Sequence, residues 1–298
     1  MSDQVNFNII SQAVTSVVSI IGNSLVLVII TRPKLFEISM FRYYIAATVI
    51  DTINVLATPL YVFPEYTGFN TNQLSCKLIN FITNVFYIMS PWTVVLACLD
   101  RYLSVKYPNR FEFTKDLRCQ ILALIIVYCV ITLINTPFYI FSVLGDNQTF
   151  CYIAADFNIQ YSMDIFNAFQ ATFVPFFIMM LTSLLTTRQL IINKKKFNKR
   201  EFRNEMKFVK IMLAMNFFFL ATNLPYSIVN VVYYTIGISD FTDYFSYDIS
   251  LFLNNIYYSC DFFVFFLSNR LFRQCFFKLI HSCKRNNRVT PMVTSVIF

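Results

Sequence analysis

Long apolar runs alternate with short polar segments along this chain. Seven runs stand out, at residues 9–30, 43–63, 78–99, 121–141, 165–185, 208–234 and 249–267. Each approaches or exceeds the ~20 residues that a helix needs to cross a bilayer. Pro59, Pro137, Pro175 and Pro225 fall inside them. A lone soluble helix tolerates an internal proline badly, whereas neighbours in a membrane bundle satisfy the carbonyls it frees. The pattern predicts an all-α membrane protein. It is a seven-transmembrane helix bundle over 9–267, between a short N-terminal segment (1–8) and a C-terminal segment (268–298). No internal repeat is visible, which argues against the duplicated halves of many transporters.

Charge orients the bundle. Of the 24 Lys and Arg, three follow the first run (Arg32, Lys34, Arg42), five follow the third and nine lie between the fifth and sixth. Six more follow the seventh, which leaves Lys77 alone on the opposite side. Such a bias places the basic segments in the cytoplasm and the N-terminus outside the cell. Composition agrees: 57% of residues are hydrophobic and 13% charged, where a soluble domain carries charge on about a quarter. The net charge of +8 therefore marks a membrane face rather than a nucleic-acid partner. With one histidine and no C-x-x-C pair, metal-site chemistry has little to build on. No nucleophile–base constellation supports an enzyme.

The outer side is acidic. Asp3, Glu65, Asp146, Asp156, Asp164, Asp240, Asp243 and Asp248 face the single Lys77. Loop solubility is one reading; a field that gathers cationic ligands is the other. Asn147-Gln148-Thr149 is the chain's one N-x-S/T sequon, so Asn147 is a candidate glycosylation acceptor, two helices and a loop beyond Cys76 on the same predicted face.

Asp100-Arg101-Tyr102 ends the third run, 24 residues after Cys76, a helical length of roughly 36 Å. Two charges at mid-bilayer would cost about 2.5–3.5 kcal/mol each, so the triplet belongs at the membrane's edge. This stretch resembles the third helix of rhodopsin-like (class A) G-protein-coupled receptors. There a Cys opens the helix, an Asp-Arg-Tyr triplet closes it and a Pro follows, here Pro108. Gly22-Asn23-Ser24-Leu25-Val26, Asp51, Pro175, Phe219 and Pro225 match family positions on the other helices.

The resemblance implies several further things. Asp100, Arg101 and Tyr102 would face a heterotrimeric G protein, with Glu205, twenty residues before Pro225, pairing with Arg101 at rest. Asp51, Ser90 and Asp261, with Asn23 nearby, would form a pocket for a sodium ion acting allosterically, or the two carboxylates would share a proton. No other cofactor is implied. Cys76 would pair with Cys151 and tether the second outer loop. Residues 269–283 would form an amphipathic eighth helix at the membrane surface, with Cys275 and Cys283 as candidate acylation sites. The chain also departs from the pattern: Asn223 stands for the helix-six Trp, Phe262 and Phe265 for the helix-seven Pro and Tyr, and Ser183 for the helix-five Tyr.

Thr83 occupies the place where amine receptors keep Asp, and Asn255 the place of the retinal Lys. A biogenic amine and retinal are thereby disfavoured. The acidic mouth and the set Tyr61, Glu65, Thr83, Asn84, Tyr87, Asn167, Tyr226 and Asn230 suit a small basic or amidated peptide. The expectation is a multi-pass plasma-membrane receptor that contacts lipid, binds an extracellular peptide or small molecule and activates a G protein. A chemosensory receptor for small odorants is the alternative, and a transporter or channel a distant one.

Overall fold

Along the first apolar run, the side chains that turn inward are polar. Asn8, Ser11, Gln12, Thr15, Ser19 and Asn23 are buried, while Ile10, Val14, Val17, Ile20, Ile21 and Val28 are exposed. In water each such aliphatic chain would forgo about 1.5–3 kcal/mol of burial. In hydrocarbon the exposed face is solvated, and the polar stripe finds partners on other helices.

The structure, a computed structural model, describes the backbone of residues 2–67, 72–107, 116–144, 151–153, 157–196, 199–236 and 241–286. Within these it describes the side chains of 7–59, 72–107, 116–144, 159, 161–194, 202–203, 205–232 and 245–281. The helices are α1 (Ser2–Ile30), α2 (Pro33–Phe36), α3 (Ser39–Thr67), α4 (Gln73–Lys106), α5 (Leu117–Ile134) and α6 (Thr136–Phe141). A hairpin of β1 (Ser142–Leu144) and β2 (Cys151–Ile153) follows. Then come α7 (Phe157–Ala168), α8 (Val174–Ile192), α9 (Lys199–Ile236), α10 (Phe241–Ser259), α11 (Asp261–Ser268) and α12 (Arg270–Asn286). Among the described residues five helical stretches are long and apolar enough to cross a membrane. The bent pair α10 and α11 makes a sixth, and the 29-residue α3 completes a bundle of seven. Six of the seven close a ring, α1 on α3, α3 on α4, α4 on α8, α8 on α9, α9 on α10, and α10 back on α1, and α5 packs on α4.

Three boundaries differ from the apolar runs. The first helix begins at Ser2, so most of the expected N-terminal segment is helical. It is held where Asn8 Nδ2 donates to Asp248 Oδ1 at 2.9 Å and Phe7 packs on Phe245 and Phe252. The sixth helix starts at Lys199, because its Lys, Arg and Glu are good helix formers that carry α9 past the apolar run. The fourth breaks after Ile134, with Pro137 in the first turn of α6, where a missing N–H costs nothing.

Pro175 is accommodated differently. The turn before it, Phe169–Phe173, is a π-turn, and the Val174 N–H bonds to the Phe169 carbonyl rather than to that of Gln170. The Gln170 carbonyl is thereby freed, and the indole N–H of Trp92 on α4 donates to it at 2.9 Å. Widened turns of this kind are common at functional positions in helices. Here a single tryptophan satisfies the acceptor that the widening releases.

The seventh rod bends by 58° at Cys260, although no proline lies there. The bend frees the Tyr258 carbonyl, which accepts from Asn23 Nδ2 at 3.1 Å. Gly22 packs against this bend: a Cβ at that position would stand 3.5 Å from the Ser259 carbonyl oxygen and from Phe262 Cβ, an ordinary contact distance. Beyond the bend, Asn269 Oδ1 accepts from the Leu271 and Phe272 N–H groups to start α12. Arg273 Nη1 donates to the Phe266 and Leu267 carbonyls that α11 leaves unpaired.

Candidate functional site

At one end of the bundle, α4 and α9 are joined by an ion pair between Arg101 Nη2 and Glu205 Oε2. The Arg101 guanidinium also lies over the Phe208 ring, 4.7 Å from its centre. Glu205 is 24% exposed and Arg101 11%, so water reaches the acid and the pair can open without stranding a charge in hydrocarbon. Asp100 is buried and accepts from Ser39 Oγ, which ties α4 to the start of α3. Tyr102 is half-buried, its ring 5.2 Å from the Lys106 ammonium. The helix-seven phenylalanines extend this end. Phe265, wholly buried, meets Tyr44 at 4.9 Å, Phe272 at 5.7 Å and Phe41 at 6.1 Å. Phe41 in turn meets Phe208 at 6.2 Å. A continuous path of rings therefore leads from α11 to Arg101.

In the middle of the bundle Asp51 lies beside Ser90 and Asp261, all three buried. Asp261 Oδ2 accepts from Thr48 Oγ1 at 3.1 Å. Neither Asp51 Oδ1 nor Ser90 Oγ makes a hydrogen bond. The donor set is all oxygen and carries two carboxyl groups, which fits a hard cation. Asn23 Nδ2 donates to Ser19, Thr52 and Tyr258, while its Oδ1, like Asp51 Oδ1 and Ser90 Oγ, is buried without a partner. Above this centre Asn254 Nδ2 donates to Asn223 Oδ1 at 2.8 Å, and Asn223 Nδ2 donates to the Phe219 carbonyl. The residue in place of the family's tryptophan is thus a hydrogen-bonding link from α9 to α10.

The predicted ligand residues divide. Tyr87 and Tyr226 meet edge to face at 6.0 Å, and Tyr226 sits beside Asn230 and Tyr247. Asn84 donates to Asn135 Oδ1 at 3.1 Å, and Gln170 Nε2 donates to the same oxygen at 2.7 Å, so Asn84 braces α4 against α5. The Thr83 hydroxyl bonds back to the Ile79 carbonyl. The side chains of Tyr61 and Glu65 lie outside the described residues. Asp164, which the sequence reading counts only as part of an acidic surface, stands out. Its Oδ2 is buried with no hydrogen-bond partner, and so is Oδ1 of Asn167, one turn along α7. Asp164 also lies within electrostatic reach of Tyr226. A periodicity count on the fifth helix would have placed Asp164 on the face of Asn167.

Cys76 is fully buried and disulfide-bonded. Cys151 opens β2 opposite Leu144; its side chain, like Asn147, lies outside the described residues. The hairpin is fastened to α4 by Gln73, whose Oε1 accepts from the Leu144 N–H and whose Nε2 donates to the Ser142 carbonyl. Asn80 Nδ2 adds a bond to Ser142 Oγ at 2.7 Å. Cys275, one of the two candidate acylation sites, is 9% exposed and packs in the core; the side chain of Cys283, the other, lies outside the described residues.

Residues 22–268 match the sequence profile of the 7 transmembrane receptor (rhodopsin family). The galanin-like G-protein coupled receptor npr-9 of Caenorhabditis elegans is 28% identical over 157 residues, 47% of this chain and 34% of that protein. Human galanin receptor type 2 is 26% identical over 183 residues, 60% of this chain and 47% of its own length. Human C-X-C chemokine receptor type 1 is 22% identical over 232 residues, 74% and 63% of the two chains. The chain thus spans between about a third and just under two thirds of the length of these three relatives.

Proposed function

The chain belongs to the rhodopsin family of seven-transmembrane receptors, and on that premise we propose that it is a cell-surface receptor that activates a heterotrimeric G protein. The N-terminus lies outside the cell and the basic segments lie inside. The observation that carries the reading is the Arg101–Glu205 pair. It joins two helices at the basic end of the bundle and has a water-exposed partner. A two-state bundle needs no more than this: the pair exists in one state, and an outside ligand with higher affinity for the other state opens it. The uncovered Arg101 then becomes a contact for the G protein.

The ligand is a small basic or amidated peptide. Relatives named as galanin and chemokine receptors favour a peptide over an odorant. Asp164 supplies a reason for positive charge. A carboxylate oxygen buried without a partner is costly, and a ligand ammonium or guanidinium between Asp164 and Asn167, against Tyr226, would satisfy both acceptors. Asp51, Ser90 and Asp261 would hold sodium in the resting state, its charge offsetting the repulsion of the two carboxylates.

The test expresses the receptor in cells and reads nucleotide exchange on the G protein while amidated basic peptides and small odorants are screened. A basic peptide should stimulate exchange, and Asp164→Asn should weaken it at least about tenfold, as loss of a buried charge partner does. Exchange driven by odorants alone would replace the peptide reading. Ligand-driven current or uptake without exchange would overturn the receptor itself.

A further inference from the structure

Tyr44 on α3 keeps its hydroxyl without a partner. The side chain is 1% exposed, and its Oη is buried with no hydrogen bond. Its ring lies edge-on to Phe265 at 4.9 Å and tilted against Phe41 at 6.4 Å. A buried donor left unpaired is destabilising, and these two rings offer it no acceptor. Within its electrostatic reach stand Cys98, Asp261 and Tyr257, of which Asp261 alone brings a carboxyl group.

Asp261 opens α11, and Phe265 follows it by four residues, one turn along the same face. The ring that Tyr44 touches and the carboxyl within its reach are thus carried by one short helix. That helix is set off from α10 by the 58° bend at Cys260, which lets it shift as a unit. The other phenols nearby are placed differently. Tyr258 donates to the Tyr87 carbonyl at 3.1 Å. Tyr257 belongs to α10, on the other side of the bend, with its ring against Phe219 at 5.1 Å and Tyr258 at 4.8 Å. Helix seven itself carries Phe265 where the family has a tyrosine, so the phenol against α11 comes from helix two.

We propose that Tyr44 is an internal competitor of the cation at Asp261. With the cation in place, Asp261 is held by it and by Thr48, and the Tyr44 hydroxyl stays idle. When the cation leaves, the two buried carboxyl groups lose the charge that offset their repulsion. A shift of α11 then brings Asp261 to Tyr44, which donates its O–H. The donor gains a partner as the acceptor loses one, and no new charge enters the membrane. The Tyr44 ring also meets Phe41, which meets Phe208 beside Arg101, so the exchange moves the first ring of the path to the inner face. The proposal rests on the reading of Asp51, Ser90 and Asp261 as a cation site, and adds the group that takes the cation's place.

The purified full-length receptor, without ligand, gives the test by its melting temperature. Sodium chloride is compared with the chloride of a bulky organic cation at equal ionic strength. Sodium should raise the melting temperature of the wild type. Tyr44→Phe removes an idle hydroxyl from the sodium form and a working donor from the sodium-free form. Its melting temperature should therefore hold or rise in sodium and fall without it. The sodium concentration that gives half the shift should drop by about fivefold, as for one hydrogen bond. In an Asp261→Ala background, without sodium, Tyr44→Phe should no longer lower the melting temperature. A tyrosine that only fills space would shift both media alike, and that outcome, or an unchanged sodium midpoint, overturns the proposal. An undiminished loss in the Asp261→Ala background overturns it too. A wild type that ignores sodium removes the cation site and this proposal together, whereas a sodium-sensitive wild type with equal shifts in Tyr44→Phe removes this proposal alone.

Discussion

Glu205 on α9 reaches Arg101 on α4, and the same guanidinium rests on Phe208, three residues beyond that acid. One segment of α9 therefore holds Arg101 by charge and by ring contact at once. Removing the acid alone leaves the ring. Glu205→Ala should raise signalling without ligand about fivefold at matched surface expression, the effect of roughly 1 kcal/mol from a partly exposed pair. Basal nucleotide exchange measures it, and an unchanged basal rate would remove the pair from the switch.

Trp92→Phe keeps an aromatic ring but withdraws the donor to the Gln170 carbonyl. A buried acceptor left unpaired costs about 1–3 kcal/mol, so the purified receptor should lose thermal stability by several degrees. Should the melting temperature hold, the π-turn satisfies its own carbonyl.

Cys76 and Cys151 should act as a unit. Either single Ser variant should lower surface expression or ligand binding, and the double variant should be no worse than a single one. Additive damage, or peptide mapping that finds Cys151 as a free thiol, would separate the two.

Sodium should oppose agonist. If Asp51, Ser90 and Asp261 hold the ion at rest, agonist affinity should fall as sodium replaces a bulky organic cation at constant ionic strength. Asp51→Asn should abolish that dependence. Affinity that ignores sodium but follows pH in the wild type alone would favour a shared proton.

The helices were legible because hydrocarbon imposes length and apolarity on every span, and the seven runs each contain the core of a rod. Their ends were less so. Residues 2–8 and 199–207 are polar enough to read as loops, and only partners far along the chain, such as Asp248 for Asn8, hold the first of these in helix. The bend at Cys260 carries no local signal, since the carbonyl it frees is met by Asn23 of another helix. Asp164 was hidden by its neighbours in the tally of acids: charge counting locates an acid on a side of the membrane, whereas an unpartnered oxygen is a property of packing. Asn223 shows the reverse case, a departure visible at once whose meaning waited on Asn254.

Trp92 is the chain's one tryptophan, and its indole N–H is committed to the widened turn of the fifth helix. Red-edge excitation of the unlabelled receptor therefore reports from a single place. Indole emission shifts with the polarity and hydrogen bonding around the ring, so any ligand that rewinds that turn changes the colour of the light. The receptor carries its own optical probe, on α4 against the fifth helix that bears Asp164, and no engineered label is needed to watch that turn move.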